Sequence, residues 1–277
     1  MRAVILVNPT KTIPQDFVPV LSDLLRRNGY LPEVQQTTRS YAPPEAYEEG
    51  DIIVALGGDG TVLQAAHRAG NKASILGIHF GRLGFLCAQR YSPKTWQQEL
   101  PTLLKAPACK RSTLTVTMPD GLVVHALNDV TIERRSGNTV HIQVSFADNA
   151  IYYTADGIIF ATPTGSTAYN LAAGGPLLSP NASMCVVTPI CPHTLTNRSL
   201  VLDQQDMMEI RIQLQGQDIG QVIADGITLG EISSACPITL RSLPEQYRKI
   251  LLPTGHGTLE QVKKAFGWST EQILTNR

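Results

Sequence analysis

Ile52-Ile53-Val54-Ala55-Leu56-Gly57-Gly58-Asp59-Gly60-Thr61-Val62-Leu63-Gln64-Ala65-Ala66-His67 is the stretch on which the reading of this chain turns. Residues 52–56 are a β-branched and aliphatic run of the kind that fills a buried parallel strand. Gly57, Gly58 and Gly60 let the backbone turn sharply and carry no Cβ to hold a ligand away. Thr61 with Gln64 three residues on has capping-box spacing, so a helix is predicted to begin there. The free N–H groups and positive dipole end of such a helix suit phosphate. Asp59 is the unusual member. A carboxylate among anion-seeking amides calls for a partner, either a metal ion or an alcohol proton. The plainer alternative is a strand–helix turn in which Asp59 only caps. Several kinase types share such a loop, so it points to phosphoryl transfer without naming the acceptor.

Working outward, Ala3 to Val7 reads as a first strand stopped by Asn8-Pro9. Phe17 to Arg27 carries apolar residues at 17, 18, 20, 21, 24 and 25, a helical period, and Asn28-Gly29 closes it. A further strand is predicted near Ser74 to Ile78. Strand, helix and strand in this order imply a parallel sheet with right-handed crossovers.

After about residue 87 the pattern changes to short strands separated by turn signals. Leu114–Met118, Val123–Leu127, Val130–Glu133, His141–Phe146, Ala150–Tyr153 and Ile158–Ala161 come first. Cys185–Thr188, Met208–Leu214, Gln221–Ala224 and Ile238–Leu243 follow. Pro119-Asp120-Gly121 and Ser136-Gly137-Asn138 mark turns. An antiparallel sandwich or barrel-like domain is the expectation. The predicted division is therefore an α/β domain over 1–86 and an all-β domain over 87–252. A tail helix over 258–275 is expected, with residues 253–277 rejoining the first domain.

The chain has 277 residues, a formal net charge of +0 and 43% hydrophobic residues, as in ordinary globular proteins. Balanced charge argues against a broad nucleic-acid or anionic-membrane surface. No apolar run approaches the roughly 18 residues that would span a bilayer, and Ala3–Val7 is too short for a secretory core. A cytoplasmic location with reduced thiols is expected, since the five cysteines (87, 109, 185, 191 and 236) are odd in number and unpaired in spacing. The six histidines show no metal-binding spacing.

A second constellation lies in the β-rich part. Asn128-Asp129 follows a predicted strand, where an exposed amide and carboxylate could meet a polar ligand. Residues 156–176 read Asp-Gly-Ile-Ile-Phe-Ala-Thr-Pro-Thr-Gly-Ser-Thr-Ala-Tyr-Asn-Leu-Ala-Ala-Gly-Gly-Pro. Hydroxyls and backbone amides of the Thr-Gly-Ser-Thr turn can bind phosphate or ribose oxygens. Tyr169 offers a flat face for a base or a nicotinamide ring.

These motifs together resemble the NAD kinase family. The carriers are Gly57-Gly58-Asp59-Gly60-Thr61, Asn128-Asp129, Asp156-Gly157, Thr162 to Tyr169 with Ala173-Gly174-Gly175-Pro176, and Pro192-His193-Thr194-Leu195 with Arg198. The glycine loop alone also fits diacylglycerol and sphingosine kinases or phosphofructokinases, and the Thr-Pro-Thr-Gly-Ser-Thr-Ala-Tyr segment selects the NAD kinase family among them. The resemblance implies an N-terminal α/β domain, a C-terminal all-β domain and NAD held between them. It implies that Asp59 is the general base toward the adenosine ribose 2′-hydroxyl. Gly57, Gly58, Gly60 and Thr61 would hold phosphates. Asn128, Asp129 and Asp156 would bind NAD. Thr167, Ala168, Tyr169, Asn170, Leu171 and Ala172, together with Cys191, would complete the nucleotide-binding residues. It further implies ATP as donor with a divalent metal (Mg2+), and a homodimer or homotetramer.

The chain also departs from that family's usual pattern. His79 stands where Asn is frequent, Asp129 replaces Glu, and Thr154 and Ile227 stand where a basic residue and Gln are common. A lipid kinase of the GGDGT type and a non-catalytic dinucleotide-binding sensor are the alternatives. The first would need an acyl-chain pocket, and the second would be favoured by loss of Asp59, which is present.

Overall fold

In the computed structural model the described residues are 1–38, 40–81, 84–135, 137–146, 149–194, 196–203 and 209–253. The tail helix expected over 258–275 lies outside them. Two compact units are formed. One comprises Met1–Thr38, Pro44–Lys110 and the described chain from Arg248. The other comprises residues 40–43 and Arg111–Tyr247.

The first unit runs β1 (Arg2–Val7), α1 (Phe17–Arg27), β2 (Leu31–Gln36), β3 (Ile52–Gly57), α2 (Asp59–Ala69), β4 (Ser74–His79), β5 (Gln89–Arg90), α3 (Trp96–Leu104) and β6 (Ala108–Ser112). Strands β2, β1, β3 and β4 lie side by side and parallel. A closing strand, Tyr247–Leu251, pairs parallel with β4, and β6 follows it at the sheet's end. Every residue of β3 is buried, as an aliphatic run in mid-sheet requires. Helix α1 buries Phe17, Leu21 and Leu25 at four-residue spacing, the stripe its sequence predicts. The edge strand β2 was not expected from sequence. Leu31-Pro32-Glu33-Val34 is mostly exposed, with Leu31 at 75%, so it lacks the apolar alternation that marks a half-buried strand.

The boundary of the first unit falls at Lys110, whereas the change of sequence pattern begins near 87. Helix α3 accounts for the interval. Trp96, Leu100 and Leu103 join the same core as β1, β3 and α1, and the helix is inconspicuous in sequence because Pro101 interrupts it.

The second unit holds β7 (Leu114–Thr117), β8 (Val123–Ala126), β9 (Asp129–Arg134), β10 (Val140–Phe146), β11 (Asn149–Ala155) and β12 (Gly157–Ala161). These are followed by a 3₁₀ turn (Gly165–Thr167), the short α4 (Tyr169–Ala172), β13 (Met184–Ile190), β14 (Leu200–Asp203), β15 (Ile210–Leu214), β16 (Gly220–Ala224), β17 (Ile227–Ile232) and β18 (Ile238–Arg241). The closing strand of the first unit is β19. Two six-stranded antiparallel sheets result, ordered β11-β10-β15-β18-β7-β8 and β14-β13-β12-β9-β16-β17. Both contribute inward residues to one core, among them Val116, Ile142 and Ile212 from the first sheet and Ile132, Phe160 and Val222 from the second. That is the face-to-face arrangement of a sandwich. Among the described residues no helix is long and apolar enough to cross a membrane.

Candidate active site

The glycine loop joins the C-terminal end of β3 to α2. The helix starts at Asp59, two residues earlier than the sequence suggests, with Gly58 as its extended N-cap (φ −153°). Thr61 is then the third helical residue, and its Oγ1 accepts the Gly58 N–H at 3.4 Å and the Asn8 amide at 3.3 Å. The capping role expected of Gln64 is taken by Thr61. Gln64 instead accepts the Thr38 N–H through Oε1 at 3.1 Å.

Asp59 sits at the positive end of the α2 dipole, where an acid is favoured. Its two oxygens are directed by the chain at 85–86. Oδ2 accepts the Phe85 N–H at 2.7 Å and Oδ1 the Leu86 N–H at 3.1 Å. Gly84 passes so close that a Cβ there would stand 2.1 Å from Oδ2. A carboxylate offers about four lone-pair sites, so each oxygen keeps capacity for an alcohol proton.

His79 ends β4 opposite Gly57. Its ring lies against Gly58, where a Cβ would meet Nε2 at 3.0 Å. Burial holds the imidazole below its ordinary titration range, aided by Lys11 and Arg90 and opposed by the charge of Asp59. The ring is therefore neutral near pH 7. Burial also raises the Cys87 thiol well above its usual range, and Asp59 adds to the effect, which leaves Cys87 an inert packing thiol.

In the second unit, the junction of β8 and β9 carries Asn128 and Asp129. Thr162 pins it, since its N–H donates to Asn128 O at 2.8 Å and its hydroxyl to Leu127 O at 2.6 Å. A Cβ on Gly165 would fall 2.0 Å from Asn128 O, so this glycine is what lets the turn approach. Asp129 is buried, and its carboxyl is pushed up to about 7 by burial, then by Asp225 and Glu133. Asp156 pairs with Arg134 at 2.9 Å and with His193 at 3.5 Å.

Part of the hydroxyl-rich segment is spent inside the fold. Thr162 and Ser166 are buried and engaged with the chain. Ser166 Oγ donates to Pro163 O at 2.8 Å and accepts the Leu178 N–H at 3.0 Å. These hydroxyls shape the loop and are not free for ribose or phosphate. Thr167, Ala168 and Leu171 are half-buried, and Ala172 is exposed. Asn170 turns inward and is 0% exposed. Its amide donates to Ser166 O and Pro176 O and accepts the Thr188 hydroxyl at 2.7 Å. Tyr169 remains open, 40% exposed, with burial raising its phenol and Glu133 hydrogen-bonded beside it. Cys191 is exposed, has φ 44° and interacts with Tyr169.

Sequence reasoning did not single out Asp225 or Glu133 as part of this face. The signal for Asp225 was available, because Asp-Gly between two strand-forming runs marks a tight hairpin. Asp225 and Gly226 indeed take φ 49° and 80°.

Residues 2–108 match the ATP-NAD kinase N-terminal domain and residues 127–248 the ATP-NAD kinase C-terminal domain. The chain belongs to the NAD kinase family. A curated NAD kinase of Symbiobacterium thermophilum is 38% identical over 200 residues, covering 67% of this chain and 68% of the relative. The NAD kinase of Lachnoclostridium phytofermentans is 32% identical over 284 residues, covering 95% and 98%. The crystal structure of yeast NADH kinase complexed with NADH superposes with a TM-score of 0.77 over 98% of this chain and 89% of that one, at 21% identity. That likeness establishes the NAD kinase fold, an α/β domain followed by antiparallel β-sheets.

Proposed function

We propose that this chain is an NAD kinase that transfers the terminal phosphoryl group of ATP to the 2′-hydroxyl of the NAD adenosine ribose. The observation that carries the chemistry is Asp59, an acid set among glycines at a helix N-terminus with both oxygens oriented by backbone amides. Asp59 removes the proton of the 2′-hydroxyl, and that oxygen attacks the terminal phosphorus. The bond from this phosphorus to the bridging oxygen breaks, and ADP leaves. Phosphoryl transfer asks mainly for positioning and charge neutralisation. Gly57, Gly58, Gly60 and Thr61 give an open backbone at a helix N-terminus for phosphate oxygens. Asn128, Asp129, Asp156 and Tyr169, with Thr167, Ala168, Leu171, Ala172 and Cys191 around them, form the dinucleotide face. Asn170 supports that face from beneath.

A divalent ion carried in with ATP as part of the donor would offset charge on the transferred group. Assembly as a homodimer or homotetramer is part of the same reading. The test is purified protein incubated with NAD or NADH, crossed with ATP or polyphosphate, and assayed for NADP(H). ATP-dependent NADP formation is expected. Binding of NAD without any phosphorylated product under every donor and metal condition would turn the reading into that of a sensor.

A further inference from the structure

At the turn between β16 and β17 the positive φ of Asp225 carries its carboxylate to the β8–β9 junction. There it accepts three consecutive backbone N–H groups, from Leu127 at 2.8 Å, Asn128 at 2.7 Å and Asp129 at 3.2 Å. The Asp225 N–H donates in return to Asp129 O at 3.0 Å. Consecutive amides that converge in this way form a concavity suited to an anion, and its occupant is the protein's own carboxylate. The junction therefore presents side chains to a ligand, while its amides are taken. Asn128 is half-buried, and its side-chain amide has no hydrogen-bond partner among the described residues. Thr162 and Gly165 hold the same backbone from the other direction.

This clamp places one acid beside another. Asp129 faces Asp225 from the hairpin turn, Glu133 from its own strand and Tyr169 from α4. A buried carboxyl with like-charged neighbours retains its proton to higher pH, and a protonated carboxyl donates a hydrogen bond that a carboxylate can only accept.

We propose that Asp225 is a positioning residue that sets the Asn128–Asp129 face for NAD and, through its charge, decides whether Asp129 meets the ligand as donor or acceptor. This rests on the assignment of that face to NAD. Asp225→Asn is the informative variant, because Asn is among the few residues that tolerate positive φ, while its amide cannot accept from all three N–H groups.

NAD dissociation constants measured by equilibrium titration from pH 5.5 to 8.5 should show an inflection near 7 in the parent protein. Asp129→Asn should abolish that inflection. Asp225→Asn should weaken NAD about tenfold, the cost of one imperfectly satisfied buried polar group, and should move the inflection down by about one pH unit. Carbon-13 NMR titration of the Asp129 carboxyl needs neither ligand nor variant. A midpoint in the ordinary carboxylate range, about 4, would overturn the proposal even if Asp225→Asn did not fold. Unchanged NAD affinity and an unmoved inflection in folded Asp225→Asn would overturn it as well. If the parent protein binds no NAD, the assignment of the face fails, and the NMR midpoints of parent and Asp225→Asn still decide the electrostatic claim.

Discussion

The Phe85 N–H donates to Asp59 Oδ2 at 2.7 Å, and this bond ties the one acid of the glycine loop to a segment 26 residues further along the chain. With Leu86 on the other oxygen, the carboxylate has a fixed direction. The chain on either side of this segment carries aromatic packing. Phe80 stacks on Tyr91 with centroids 4.9 Å apart, and both meet the Phe17 ring edge-on at 5.2 Å. The Asp59 carboxylate is thus directed by the chain after β4 as well as by its own helix.

Asp59→Asn should still bind NAD and lose turnover by about 10²-fold or more, because it removes the proton acceptor while keeping the shape. The Asn amide can satisfy only one of the two N–H donors, so thermal unfolding should be followed alongside. A folded variant with near-parental kcat would remove this carboxylate from the chemistry.

Gly84→Ala tests the direction of the Asp59 carboxylate without replacing it. The new methyl would fall 2.1 Å from Oδ2, so the loop or the carboxylate must shift. Misplacement on the scale of 1 Å costs about 10²-fold in rate, and kcat should drop accordingly while NAD affinity stays near the parental value. Steady-state kinetics with a binding titration reads both, and an unaltered kcat would show that the direction of Asp59 is unimportant.

His79 should make stability pH-dependent on the acid side. Burial lowers its folded titration below the ordinary histidine value of 6.5, so the unfolded chain binds more protons just beneath that value. Stability then falls as pH drops below about 6.5. Lys11 and Arg90 favour the neutral ring, and Asp59 opposes them. Urea midpoints at pH 7.5 and 5.5 should fall further in the parent than in His79→Asn. An equal loss in both proteins would place the acid sensitivity elsewhere.

Asn170→Ala should act on stability more than on ligand binding. The side chain is buried and spends its amide on Ser166 O, Pro176 O and the Thr188 hydroxyl. Leaving such buried groups unmatched costs about 1–3 kcal/mol, measurable by urea denaturation. A parental unfolding free energy with strongly weakened NAD would return Asn170 to the ligand-contacting set.

What the amino-acid sequence determined by itself was whatever depends on neighbours along the chain. The Ile52–Leu56 run, the glycines after it and the four-residue spacing of Phe17, Leu21 and Leu25 are local patterns with a defined backbone consequence, so the α/β architecture and the strand–glycine loop–helix junction were legible. The short alternating runs made the β-rich unit legible too. Tertiary structure alone decided which polar groups are spent inside and which stay outside. Thr162, Ser166 and Asn170 look like ligand-binding residues in a list of hydroxyls and amides. They become internal braces only because their partners, Leu127, Leu178 and Thr188, arrive from other strands and loops. Asp225 is the converse case, an ordinary hairpin acid until the fold carries it to Leu127, Asn128 and Asp129 across nearly a hundred residues of chain. A hydrogen bond is satisfied by whichever atoms meet in space, and that pairing is set by packing of the sheets, which one-dimensional spacing does not encode.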